Sequence, residues 1–145
     1  MTTPLSSETI HASCVAIDGA AVLIEGRSGT GKSDLALRLI DRGAILVSDD
    51  YTNVLRKGGE LIARAPTNLA GKIEVRGIGI VELPHASDVP VKLIVAITEL
   101  PPRMPGEGRV RTLAGIELRE IALPSLEPSA PLKVELALKQ RIAAS

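Results

Sequence analysis

Eight consecutive residues constrain this chain more than any others. Gly26-Arg27-Ser28-Gly29-Thr30-Gly31-Lys32-Ser33 matches the pattern G-x-x-x-x-G-K-[ST] at every position. Such a segment works as the turn between a buried strand and a helix, and both neighbours suit it. The apolar run Ala20 to Glu25 precedes it. Lys32 to Arg42 follows, with Leu35, Leu39 and Ile40 on one helical face and Arg38 and Asp41 on another. Glycines let successive amides curl into a nest for phosphate oxygens, and the helix N-terminus adds partial positive charge. Lys32, facing solvent and phosphate, is expected to reach the β- and γ-phosphates, and the Ser33 hydroxyl to ligate Mg²⁺. A purine nucleotide with Mg²⁺ is the expected cofactor pair. A dinucleotide fingerprint is excluded, because Asp34 stands where its third glycine would be.

Around this loop the pattern is mostly of strands. Ile10 to Ile17 reads as one strand, joined to the P-loop strand by the turn Asp18-Gly19. Gly43 ends the helix in the position of a left-handed cap. Ile45 to Val47 is a short buried strand, and Thr52–Arg56 and Leu61–Ala65 form a hairpin around Gly58-Gly59. Ile73 to Val81 continues the two-residue alternation and Val91 to Ile97 is a further buried strand. Five of the ten prolines fall between Pro84 and Pro105, which marks an irregular stretch. Arg109–Leu113 and Ile116–Ile121 flank Ala114-Gly115 as a last hairpin, and Leu132 to Ile142 has helical spacing. The expected fold is α/β: a β-rich P-loop kinase-like domain with few helices, a single unit over residues 1–145.

Composition removes several functions. The 17 basic and 17 acidic residues cancel, so no overall field holds a polyanion, and nucleic acid is not an expected partner. Tyr51 is the only aromatic residue, which leaves no stacking platform for single-stranded bases. Cys14 stands alone and only His11 and His85 join it, too few for a Cys/His zinc cage. With no long apolar run and no basic-apolar leader, no membrane is expected as a partner, and the expected compartment is the cytoplasm.

Asp49-Asp50 closes the strand Ile45–Val47. Ligands of open α/β sheets sit beyond the carboxyl ends of strands, so this pair should face the phosphates. A P-loop protein needs a carboxylate near its metal and a kinase needs a base for the acceptor hydroxyl; two adjacent carboxylates can divide those tasks. His85 receives no role, and Cys14 reads as a small core residue. On the residues alone, a protein kinase, a small-molecule kinase or NTPase, and a nucleotide-sensing module all remain open.

Four segments together are more specific than any one: His11-Ala12-Ser13-Cys14-Val15, the loop Gly26 to Ser33, Val47-Ser48-Asp49-Asp50, and Ile73-Glu74-Val75-Arg76-Gly77-Ile78-Gly79-Ile80. They resemble bacterial HPr kinase/phosphorylase, whose members phosphorylate a serine of the phosphocarrier HPr and typically also reverse that step by phosphorolysis. The resemblance covers about residues 9 to 82 well and 90 to 140 more loosely. It implies Asp50 as proton acceptor from the substrate serine with Asp49 beside it, and His11 as an active-site partner of Asp50. It also implies Glu74 as a second Mg²⁺ ligand and Arg76 as a nearby positive charge, both on a loop. It further implies an HPr-like phosphocarrier as substrate, a homo-oligomer (a hexamer), and a short form without the additional N-terminal domain. Two departures stand out. Asp34 replaces the usual glutamate, and Leu126-Glu127-Pro128-Ser129-Ala130 lacks both arginines of the family's Arg-Pro-Gly-Arg segment. Those arginines belong to dephosphorylation, so the expectation is a kinase with weak or absent phosphorylase activity. Arg103, Arg109 and Arg111 in the proline-rich stretch are the only candidates to replace them.

Overall fold

The computed structural model describes residues 6–99 and 109–143. Along the chain these form β1 (Ser7–Ile10), β2 (Ala12–Ile17), β3 (Ala20–Glu25), α1 (Lys32–Asp41), β4 (Ile45–Ser48), β5 (Thr52–Lys57) and β6 (Glu60–Arg64). A single 3-10 turn at Thr67–Leu69 leads to β7 (Lys72–Val75), β8 (Gly79–Glu82), β9 (Val89–Ile97), β10 (Val110–Leu113), β11 (Ile116–Leu123) and α2 (Ala130–Ala143). The β-rich α/β architecture is the one expected from the sequence.

One mixed sheet runs in the order β1-β5-β6-β9-β3-β2-β4, with β11 also on β9 and β10 beyond it. Strand β9 carries the curvature. Its first residues pair with β6, its middle runs parallel to β3, and its end runs parallel to β11. The near-continuous apolar sequences of β3 and β9 follow from burial on both faces. On one face Val15, Val22, Ile24 and Val95 meet Leu35 and Leu39 of α1 and Val134 and Leu138 of α2. On the other, Cys14, Leu23 and Ile94 meet Val54 and Leu61 as the sheet curls over itself. Burial pushes the Cys14 thiol well above its ordinary pKa, in keeping with a core residue.

Local chemistry explains the turns. Asp18-Gly19 and Ala114-Gly115 each place two residues at positive φ, the geometry that matches hairpin twist. The Gly43 amide bonds the Ile40 carbonyl and the Ala44 amide that of Leu39, capping α1 as the sequence suggested. Helix α2 begins at Ala130, two residues before the apolar spacing starts, because Pro131 suits a first helical turn.

Two expectations need correction. Ile10 to Ile17 is not one strand: the chain bends at His11, and β1 leaves to pair with β5 while β2 pairs with β3 and β4. A hydrophobicity pattern does not register a change of partner. Ile73 to Val81 is the hairpin β7–β8, a separate two-stranded sheet turning at Arg76-Gly77-Ile78, so Glu74 lies on a strand rather than a loop. The last hairpin is present as expected, β10 pairing with β11 around Ala114-Gly115 and carrying Arg111, while Arg103 lies outside the described residues.

Candidate active site

Gly26 to Gly31 connect β3 to α1 and close on themselves. The Thr30 amide and hydroxyl both donate to the Arg27 carbonyl, at 3.1 and 2.6 Å. Gly31 has φ 99°, and a Cβ there would also approach Ser125 Oγ to 2.6 Å. The Ser125 hydroxyl donates to the Thr30 carbonyl, and Arg38 of α1 holds the Ser125 and Glu127 carbonyls. Two loop carbonyls are thus engaged by protein donors. The first amides of α1 have no earlier helical carbonyl to reach and stay available to an anion.

Lys32 does not face solvent as expected. It is 5% exposed, and its ammonium donates to the Gly26 carbonyl at 2.9 Å and the Arg27 carbonyl at 3.2 Å. A buried ammonium needs acceptors, and the loop provides them. Three donor hydrogens and two such bonds leave the group chemically able to serve a phosphate oxygen as well.

The paired carboxylates part company. Asp49 is buried: Oδ1 accepts from the Ser13 hydroxyl at 2.8 Å and the Ser33 hydroxyl at 2.6 Å, and Oδ2 from the Glu74 amide at 3.0 Å. Asp50 is exposed, in the left-handed conformation at φ 68°, and its Oδ1 lies 2.9 Å from His11 Nε2. Tyr51 stacks on the His11 ring, centroids 5.0 Å apart. Two contacts hold this corner. The Tyr51 amide donates to the Asp49 carbonyl at 2.8 Å, and the Ser48 hydroxyl donates to the Tyr51 carbonyl.

The structure therefore brings together Lys32, Ser33, Asp49, Asp50 and His11. Glu74 reaches the site through its backbone, while its side chain is exposed on β7. Arg76 is exposed at the hairpin tip, with no ion pair among the described residues. Arg111 is committed elsewhere. It grips both oxygens of Glu25 at 2.7 and 3.1 Å and Glu120 at 3.0 Å, contacts that raise its pKa, Glu25 foremost. Sequence reasoning missed Ser13, Tyr51 and Ser125 as neighbours of the site. Two signals were present: Ser13 stands two residues from His11 in the first segment, and Tyr51 directly follows Asp50.

The donor set suits a hard divalent cation shared with phosphate. Ser33 gives its hydrogen to Asp49 and keeps oxygen lone pairs, and Asp49 is a carboxylate beside it. Among the described residues no group of three or more His, Cys, Asp and Glu could hold a metal.

A family model described as HPr Serine kinase C-terminal domain matches residues 4–89. Among curated proteins, HPr kinase/phosphorylase of Clostridium beijerinckii is 45% identical over 80 residues, covering 54% of this chain and 26% of that protein. The enzyme of the same name from Clostridium tetani is 41% identical over 101 residues, covering 66% of this chain and 33% of that protein. The chain thus spans between a quarter and a third of the length of these relatives. A solved structure of the Hpr(Ser) kinase/phosphatase from Coxiella burnetii superposes with a TM-score of 0.82 at 30% identity, over 94% of this chain and 97% of that one. With the family model spanning more than half of the chain and the superposition nearly all of it, the chain belongs to the HPr serine kinase C-terminal domain family.

Proposed function

We propose that this chain transfers the γ-phosphoryl group of ATP, with Mg²⁺, to a serine of an HPr-like phosphocarrier protein. One observation carries the reading: the Ser33–Asp49 contact at 2.6 Å stands directly beside the His11–Asp50 pair at 2.9 Å. A cation-side pair and a proton-side pair therefore flank one phosphate loop. Protein relatives named HPr kinase/phosphorylase support the choice of acceptor.

The amides of Gly29 to Ser33 and Lys32 hold the phosphates, while Ser33 and Asp49, with Glu74, form the cation side. Mg²⁺, when bound, neutralises charge that develops on the transferred group. Asp50 accepts the proton of the acceptor serine, His11 orients Asp50, and Arg76 on the hairpin tip offsets negative charge. Phosphoryl transfer needs little covalent help, so most of the acceleration comes from positioning and preorganised charge. Incubation with γ-labelled ATP, Mg²⁺ and HPr-type carriers should yield acid-stable phosphoserine on the carrier. Label released only as inorganic phosphate would favour a simple NTPase instead.

The reverse reaction is proposed to be weak or absent. In phosphorolysis inorganic phosphate attacks phosphoserine, the Ser–O–P bond breaks and pyrophosphate leaves with the serine hydroxyl restored, so two phosphate groups must be held side by side, which demands extra cations. No arginine lies between Arg119 and Arg141, Arg111 is held by two glutamates, and Arg119 bonds the Ala137 carbonyl and Gln140. Rapid pyrophosphate release from seryl-phosphorylated carrier and millimolar phosphate would overturn this. A homo-hexamer belongs to the same reading. Exposed Ile78, Ile80, Leu132 and Leu136 provide apolar surface for it, and sedimentation equilibrium measures it.

A further inference from the structure

Asp49 and Asp50 are consecutive, yet one carboxylate is buried among hydroxyls and the other stands in solvent against a histidine. A single side chain touches both residues. Ser13 Oγ lies 2.8 Å from Asp49 Oδ1 and 3.2 Å from the Asp50 amide nitrogen, and Ser13 is fully buried. We propose that Ser13 is a positioning residue for phosphoryl transfer: its hydroxyl fixes the divergence of Asp49 and Asp50, and thereby sets Asp50 against His11. The inference rests on the roles assigned above to these two carboxylates.

Bond polarity fixes the arrangement. The Asp50 amide can only donate, so Ser13 Oγ accepts there and its one hydrogen goes to Asp49. The two bonds polarise each other through the same oxygen. The fold explains why this residue has the task. Strand β2 pairs antiparallel with β4, with Cys14 opposite Ser48, so residue 13 lies across from residue 49, one step past the last paired residue of β4. Alternation along β2 sends Cys14 into one core and Val15 toward the α1 side, and Ser13 shares the side of Val15. The ladder ends where Asp50 must turn. At φ 68° Asp50 is in a conformation that few non-glycine residues adopt, although Asp is among those that tolerate it. An amide anchored at that turn keeps the side chain on its outward course. With alanine at position 13, Asp49 would retain Ser33 and the Glu74 amide, but the Asp50 amide would lose its side-chain acceptor.

The roles of hydrogen bonding and of packing separate with two substitutions. Ser13→Ala removes the hydroxyl, and Ser13→Cys keeps the volume with a far poorer donor and acceptor. Both are expected to lower kcat for phosphoserine formation about tenfold, the scale for a hydrogen bond to a charged group, with the Kd for ATP·Mg²⁺ within about twofold of the parent. Thr52→Ala is the control: that buried hydroxyl donates only to the Ala12 carbonyl, at 2.8 Å. It is expected to lower Tm while leaving kcat in place. Substrate-free proton NMR supplies a second reading, because His11 and His85 are the only histidines. In both Ser13 variants the His11 imidazole resonances should move and those of His85 should not. Unchanged kcat and unchanged His11 resonances would overturn the proposal. So would full activity in Ser13→Cys, which would reduce Ser13 to packing, or equal losses of kcat in the Thr52 control. If the parent protein transfers no phosphate to any carrier, the proposed reaction fails, and the NMR comparison alone then decides for or against Ser13.

Discussion

The two sides of the site, one around Asp49 and one around Asp50, are built on opposite terms. On the closed side, Lys32 and Asp49 are buried and Ser33 is half-buried, and each side chain is bonded to a protein group. On the open side, His11, Asp50 and Tyr51 form a chain of one hydrogen bond and one ring stack, with the Asp50 side chain 55% exposed. A small cation and a phosphate chain reward rigidity, since preorganised groups need no reorganisation during reaction. An acceptor that arrives on another protein requires access. Burial, rather than residue type, distinguishes two adjacent and chemically identical carboxylates.

The sharpest blow to the closed side is Lys32→Ala. Loss of one preorganised charge is expected to cut phosphoserine formation by about 10²–10³, read as initial rates with labelled ATP. The denaturation midpoint should fall as well, because two loop carbonyls lose a charged donor at a buried position, so the rates are compared at a temperature where circular dichroism shows the variant folded. Normal turnover would remove the phosphate-loop assignment. Glu74→Gln tests the boundary between the sides. A magnesium titration of the rate should shift to about fivefold higher Mg²⁺ if the carboxylate joins the cation, the scale of one charge-assisted interaction in partial solvent. An unmoved titration would mean that Glu74 serves through its amide to Asp49 alone. Ser125→Ala is the mildest. Freeing the Thr30 carbonyl should weaken ATP binding about threefold, the scale of one neutral hydrogen bond, measured by calorimetry, with kcat unchanged. A large loss of kcat instead would mean that the phosphate loop and the open side do not act separately.

Much of this was legible in the sequence because local chemistry dictates it. The phosphate loop is a contiguous pattern, α1 shows its period and its glycine cap, and two hairpins announce themselves through Asp18-Gly19 and Ala114-Gly115. What stayed hidden depends on distant partners. The break at His11 arises because β1 and β2 choose different neighbours, and nothing in Ile10 to Ile17 encodes that choice. Lys32 reads as a solvent-facing cation until the carbonyls of its own loop are placed around it. The separation of Asp49 from Asp50 is decided by Ser13, 36 residues from Asp49, and the loop is steadied by Ser125, 95 residues from Thr30. Such bonds join single polar atoms across the fold and leave no period in the sequence.

The central claim is the division of labour between Asp49 and Asp50, and a paired substitution tests it most directly. Asp49→Asn and Asp50→Asn are each assayed for ATP·Mg²⁺ affinity by calorimetry and for phosphoserine formation on an HPr-type carrier. Asp50→Asn should bind ATP·Mg²⁺ as the parent does while phosphoserine formation falls about 10²–10⁴-fold, the usual contribution of a positioned base. Asp49→Asn should lose the Mg²⁺-dependent part of nucleotide affinity as well as turnover. The reverse pattern, with Mg²⁺-dependent affinity lost in Asp50→Asn and kept in Asp49→Asn, would contradict the account and exchange the two roles.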